Sequence, residues 1–298
     1  MLINATNLEL AYKGFQTVYN EAKFAAPSHA MEIAMKVPSS ARDETYGWLG
    51  AFPQLREWVG ARHVKNLKAH GFTIVNRKFE STVSVGRDDL ADDRLGVFRP
   101  MVSEMGTIAA RHADELVFEL LKSGFDTLCF DGQNFFDTDH PIENADGATV
   151  STVSNMQAGA GPGWYLLDVS RGVRPIIWQE REGYEFTSVN RHDEAYVFTH
   201  DDYMYGVRAR VNAGFGLWQL AFGSKDTLNA TNYAAARAAM MDFRSDGSKV
   251  LGISPSILVV PPALEDPAFR LINSEFGSGG ESNPWKGTAK VIVTPYVG

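Results

Sequence analysis

Four side chains within ten residues, Asp131, Asp137, Asp139 and His140, have types and spacing that could do chemistry. Carboxylates and an imidazole this close could hold a hard divalent cation or serve as acid and base. Their spacing is not that of an EF-hand loop, and the chain has no H-E-x-x-H pair. The same residues also read as a turn. In that reading the aspartates accept hydrogen bonds from backbone amides and the His140–Pro141 step is extended. The turn is the favoured reading, with a metal-dependent enzyme centred on 131–140 as the alternative.

Other chemical candidates are weaker. Cys129 is the single cysteine, which excludes a disulfide framework and a zinc site of several thiolates. Set between Leu128 and Phe130, it reads as a buried small hydrophobe and not as a nucleophile. His112 falls on the apolar side of a helical pattern and reads as a packed histidine. GFGLW and GPGW do not fit the phosphate-binding glycine patterns, and no G-x-S-x-G elbow is present. Arg56, Arg62, Lys65, Lys68, Arg77 and Lys78 form a basic stretch interleaved with Trp48, Phe52, Trp58 and Phe72. Such a stretch could meet phosphates and bases, but cations scattered among glycines suit a protein surface better. No enzyme mechanism and no cofactor emerges from these tests.

The elements that must position these residues are of mixed type. The chain has 298 residues, 44% hydrophobic and 21% charged, which allows one large domain or two modest ones. A formal net charge of -8 argues against wholesale nucleic-acid binding, which usually needs a basic face. No run approaches the ~18 apolar residues of a membrane span, and the first thirty residues do not read as a signal peptide. The expectation is a protein made and used in the cytoplasm.

The clearest element is a helix near 98–123. Phe98, Val102, Met105, Ala109, His112/Ala113, Leu116 and Leu120 recur there at steps of three and four. Pro100 is expected near its start and Gly124 at the C′ position. About 24 residues at ~1.5 Å rise give a rod of roughly 36 Å, long enough to be a structural spine. Acidic Asp88, Asp89, Asp92 and Asp93 precede it, on the side of its positive dipole end. Before the spine, residues 72–85 read as strand. The first ~30 residues suit equally an extended arm or a helix packed on its own domain, with Gly14 and Pro27 limiting regular structure. After it, 125–225 is rich in strands and loops, with WYLLDV, VRPIIWQ, AYVFTH and the run from Asp201 to Phe222 as strands. A helix then follows a Thr231 N-cap, SILVV reads as a buried strand, Asp266 and Pro267 open another helix, and AKVIVTPYV closes the chain as a strand. The class is α+β.

Several segments, in order along nearly the whole chain, resemble the major head subunit (major capsid protein, T protein family) of Mu-like phages and prophages. They are FQTVY (15–19), MKVPS (35–39), ETYGWLG (44–50), FESTV (79–83) and DGQNFF (131–136) leading to His140 and Pro141. WYLLD (164–168), RPIIWQ (174–179), WQLA (218–221), VVPPALE (259–265) and NPWKG (283–287) complete the set. None is a catalytic motif, and the specificity lies in their collective order.

The resemblance implies the tailed-phage major capsid fold of the Hong Kong phage type. It divides the chain into an N-terminal arm (1–35), an E-loop hairpin (36–88), a P-domain with the spine helix (89–225), and an A-domain with the C-terminal strand (226–298). It implies self-assembly into hexamers and pentamers of an icosahedral head around double-stranded DNA, touched only non-specifically. Partners would be a scaffolding protein, a portal and a decoration protein, with assembly in the host bacterial cytoplasm. By the same analogy the E-loop lies over a neighbouring subunit. Trp48, Phe52 and Trp58 would be buried there, while Arg56, Arg62, Lys65 and Lys68 meet acidic surface such as Asp88, Asp89, Asp92 and Asp93. No covalent cross-link between subunits is expected. An encapsulin-like cargo shell is the alternative within this fold.

Overall fold

The computed structural model describes residues 3–49, 72–92, 95–143, 149–191, 194–245, 249–277 and 279–298. The N-terminal segment forms a 21-residue helix, α1 (Ala5–Ala25), which runs through Gly14 and starts where the Asn4 side chain accepts from the Asn7 amide. Leu8, Ala11, Phe15 and Tyr19, at steps of three and four, are its buried side. Of the two readings of this segment, the helix packed on its own chain is the one observed. A short helix α2 (Ala30–Ile33) leads into β1 (Ala34–Pro38). Strands β2 (Asp43–Tyr46) and β3 (Phe72–Val75) form an antiparallel hairpin, and the chain turns at Asn76 into β4 (Arg77–Gly86).

A short helix α3 (Arg87–Ala91) precedes the spine, α4 (Leu95–Ser123). Its 29 residues make a rod of about 44 Å. Because α4 starts at Leu95, Pro100 lies inside it and deprives the carbonyl at position 96 of its usual donor. Gly124 is not left-handed, contrary to the expected C′ role. A side chain there would strike the Phe136 ring at 2.8 Å, so the glycine serves packing.

Beyond the spine come a hairpin of β5 (His140–Glu143) and β6 (Thr149–Val153), then β7 (Met156–Gln157), β8 (Trp164–Leu167) and the long β9 (Ile176–Val189). The 125–136 segment holds a single bridge, Leu128 to Asn134, around the left-handed Gly132. AYVFTH is a helix, α5 (Ala195–His200), and not a strand, with only Val197 buried. It is followed by β10 (Asp202–Phe215), β11 (Ala221–Ser224) and α6 (Ala230–Met241). The N-cap of α6 is Asn229, which accepts from the Asn232 amide, two residues before the expected Thr231. Strand β12 (Ile257–Val260), helix α7 (Glu265–Asn273) and strand β13 (Lys290–Val293) complete the described elements.

Two sheets organise the molecule. One has the order β1-β9-β10-β4, with β1 parallel to β9 and the other pairs antiparallel. Helices α1 and α4 cover its inner face, where Phe15, Tyr19, Met105, Phe186 and Tyr205 form one core. The second sheet has the order β13-β12-β8-β11-β7. Its strands β8, β11 and β12 are buried throughout, as their continuous apolar runs require. This sheet takes β7, β8 and β11 from before residue 225 and β12 and β13 from after it, so a boundary at 225 would cut through it.

Candidate assembly interface

The cluster with most chemical promise proves to be a structural hub. The left-handed Gly132 turns the chain so that Asp131 faces His140, which opens β5. His140 Nδ1 donates to Asp131 Oδ2 at 2.7 Å, and the ring stacks on Trp218 at 3.9 Å between centroids. Cys129 Sγ donates to Asp131 Oδ1 at 3.0 Å, and the Gln133 amide donates to the same oxygen at 3.1 Å. On its far side His140 Nε2 lies 3.2 Å from Asn155 Oδ1. Asn155 is itself fully buried and donates to the Phe135 carbonyl at 2.8 Å.

Among the described residues, Cys129, Asp131 and His140 are the group whose ligand atoms lie close enough, within 4.8 Å of one another, to suggest a metal. Each is already engaged by its neighbours. Burial pushes the Cys129 thiol well above its ordinary range, with the Asp131 charge adding to it. Burial alone would raise Asp131, but hydrogen bonds from His140, Cys129 and the Gln133 amide outweigh it and hold that carboxyl below the usual range. Cys129 and His140 are both hydrogen-bonded to Asp131. The other two predicted members go elsewhere. Asp137 accepts from the Asn134 and Thr138 amides, and Asp139 is exposed. The favoured turn is what the structure holds.

His112 is packed, as its helical position implies: Nδ1 lies 2.6 Å from the Tyr184 hydroxyl, and the ring meets Phe79 edge-on at 4.2 Å. Burial, then the nearby Arg77, lowers its pKa.

The residues expected at subunit contacts are distributed as follows. Trp48 ends the β2 side of the hairpin, half-buried, with its ring T-shaped against Tyr46 at 6.2 Å. Phe52, Arg56, Trp58, Arg62, Lys65 and Lys68 lie outside the described residues, as does Asp93. Asp88 and Asp89 sit in the first turn of α3, and Asp92 caps its end, its amide donating to the Asp88 carbonyl. Leu90 is the buried anchor of that helix, which leaves Asp88 and Asp92 exposed. Hairpin and acidic turn thus stand at opposite ends of β4, a strand of 10 residues or about 33 Å.

The family described as Mu-like prophage major head subunit gpT matches residues 8–297. The chain belongs to the Mu-like major head subunit family. It is 40% identical over 305 residues to the major capsid protein of Escherichia phage Mu, with 100% of both chains covered. It is 42% identical over 296 residues to the Mu-like prophage FluMu major head subunit of Haemophilus influenzae, covering 96% of each. A structure of the procapsid of bacteriophage JBD30 superposes with a TM-score of 0.88 at 45% identity, over 99% of this chain and 100% of that one. The JBD30 capsid decorated with minor capsid protein trimers gives 0.78 at 31% identity, over 94% and 93%. The fold is therefore the tailed-phage major capsid fold, and this Mu-like head subunit is a structural protein that forms the phage head shell.

Two positioning residues of this head subunit, missed in the sequence, carry only a faint signal there. Asp114, buried on the spine, accepts from the Ser28 hydroxyl and the His29 and Ala30 amides at 2.8, 2.9 and 2.6 Å. Gln179, buried on β9, accepts from the Tyr46 hydroxyl at 2.8 Å and donates to the Ile74 carbonyl and to Asn76. Both are polar residues inside apolar patterns, a cue that marks burial with a partner without naming it.

Proposed function

We propose that this head subunit assembles through its two extremities: a segment carried by the hairpin of one copy lies over a neighbour and engages the acidic turn there. Residues 36–88 would be the E-loop, 1–35 the N-terminal arm, and α4 the spine of the P-domain. The second sheet and helices α6 and α7 would form the A-domain, drawing β7, β8 and β11 into it along with the residues after 225. Trp48, Phe52 and Trp58 supply the apolar area of the contact. Arg56, Arg62, Lys65 and Lys68 supply charge complementary to Asp88, Asp89, Asp92 and Asp93. The observation that carries this reading is the placement of an anchored hairpin and an exposed acidic turn at the two ends of one strand. Two complementary patches on one body make a head-to-tail contact, which closes into rings when the rotation allows.

The role is structural and not enzymatic in this reading, with no cofactor. Hexamers and pentamers would be built in the host cytoplasm with a scaffolding protein, joined at one vertex by a portal and covered by a decoration protein. Packaged DNA would meet the acidic shell only non-specifically. Co-expression with the scaffold, followed by sedimentation and negative-stain electron microscopy, is expected to give closed shells or capsomer rings. A persistent monomer or dimer would refute the assembly role. Trp58→Ala should leave the monomer folded and reduce shell yield. Asp139→Ala, at an exposed position, should change neither. An enzyme centred on the cluster would instead keep intact particles and lose an activity in that variant.

A further inference from the structure

Strand β4 is the outer strand of the four-stranded sheet. It pairs with β10 from Arg77↔Val211 to Gly86↔Asp202, and among the described residues its other edge has no strand partner. An edge of this length presents backbone donors and acceptors as a template for another strand. Along β4 the even positions Lys78, Glu80, Thr82 and Ser84 are exposed, while Phe79, Ser81, Val83 and Val85 face inward to varying depth. Because side chains alternate, an added strand keeps both faces continuous only if even positions oppose even positions.

The charge along this edge is polarised. It starts at Arg77 and Lys78 and ends at Gly86, which faces Asp202 on β10 and is followed by Arg87 and then by Asp88 and Asp89. A side-chain carbon on Gly86 would lie 3.4 Å from an Asp89 carboxylate oxygen and 3.8 Å from one of Asp202. The glycine thus leaves a gap beside two carboxylates on the exposed face. Arg87, a cation at that end, is held by Asp201 at 3.5 Å.

We propose that β4 pairs antiparallel with β4 of a second copy across a two-fold axis at Thr82, joining two four-stranded sheets into one. This register opposes Glu80 to Ser84 and Lys78 to Gly86. Each Lys78 ammonium then enters the gap beside Asp202 of the other copy, once on each side of the axis. A parallel alignment would set like charges together, so the polarity selects the antiparallel one. The contact is isologous and adds a two-fold link to the head-to-tail contact, leaving the acidic turn for the loop. It rests on the shell reading, since its occupant is another copy of this chain.

Thr82→Cys tests it directly. Opposed residues of an antiparallel pair have Cα atoms about 4.5–5.5 Å apart, within disulfide reach. Oxidised shells of Thr82→Cys are expected to run as dimers on a non-reducing gel, against a background of buried Cys129. Ser84→Cys alone should stay monomeric, because its two copies would stand about 13 Å apart along the strands. Glu80→Cys combined with Ser84→Cys should cross-link again. Should Thr82→Cys fail to assemble, Lys78→Glu gives a second reading at an exposed site. It is expected to lower shell yield about tenfold, and adding Asp202→Lys should restore it. Absence of shells from the unmodified chain would defeat the shell reading. Intact shells with no Thr82→Cys dimer, or full yield from Lys78→Glu, would overturn the pairing alone.

Discussion

A methyl group on Gly106 would sit 2.4 Å from the backbone carbonyl oxygen of Tyr19 and 3.1 Å from the Ala22 methyl, so α4 and α1 cross here in close backbone approach. That approach lets Tyr19 and Phe15 reach the sheet, where Tyr19 stacks on Phe186 at 5.1 Å and Phe15 meets Tyr205 edge-on at 4.9 Å. Gly106→Ala improves intrinsic helix propensity by about 1 kcal/mol, yet the obstruction is backbone and cannot rotate away. The expected net result is destabilisation by roughly 1–3 kcal/mol from overpacking, read as a lower urea midpoint. Gly14, with nothing within 4 Å of an added carbon, is the control. Gly14→Ala should stabilise α1 by about 0.5–1 kcal/mol. Equal effects at the two glycines would show that the helices do not cross at Gly106.

The contrast between these glycines shows what the sequence could and could not disclose. The spine was legible because its apolar residues recur at helical spacing, and the strands at 164–167 and 257–260 because continuous apolar runs suit a sheet covered on both faces. Gly14 read as limiting regular structure, although a glycine costs a helix only about 1 kcal/mol and the Leu8–Phe15–Tyr19 stripe recovers more by burial. AYVFTH has the β-branched and aromatic content of a strand, but its backbone is helical and Phe198 points into solvent. The turn at Asp131 followed from its Asp-Gly step, whereas the partnership with Asn155 and Trp218 joins residues far apart in sequence and leaves no local pattern. The acidic turn and basic stretch were visible as composition, and only the fold places the turn and the hairpin at opposite ends of one strand.

Asp131 gives a prediction about pH. Its folded pKa is depressed, so the unfolded chain binds its proton more readily. The stability it contributes is therefore present above the unfolded value of about 4 and is lost as pH falls through the lower folded value. Asp131→Ala removes the common acceptor of His140, Cys129 and the Gln133 amide in a buried setting, and about 3 kcal/mol of destabilisation is expected near neutral pH. The gap between the wild type and this variant should narrow at pH 3, where the unfolded chain already takes up that proton. Urea unfolding at both pH values measures it, and a gap that widens in acid would contradict the assignment.

Asp114 joins the chain before β1 to the spine, with one carboxylate oxygen accepting three hydrogen bonds. Asp114→Ala leaves two amides and a hydroxyl without that acceptor, which should cost about 2–3 kcal/mol. Asp114→Asn keeps an acceptor oxygen while giving up the charge, so its loss should be less than half as large. Hydrogen exchange at the His29 and Ala30 amides provides a local reading, with the alanine variant exchanging faster than the asparagine one.

Gln179 links stability to assembly. From the middle of the sheet it accepts from Tyr46, on β2, and donates to the carbonyl of Ile74, on β3, so one side chain sets the angle at which the hairpin leaves the body. The Tyr46 hydroxyl is so withdrawn from water that its pKa is pushed up to about 12, burial being the larger cause and Glu44 adding to it. Gln179→Leu would strand these groups and Asn76, at about 1–3 kcal/mol for each left unsatisfied. Because the second sheet and the α1–α4 core do not depend on those bonds, the loss should concentrate at the hairpin. Limited proteolysis is expected to cut the variant between residues 43 and 76 faster than the wild type, while thermal unfolding of the remainder shifts little. Shell yield should fall in step with the cleavage rate. A variant that is cut no faster yet still fails to form shells would place the role of Gln179 outside hairpin positioning.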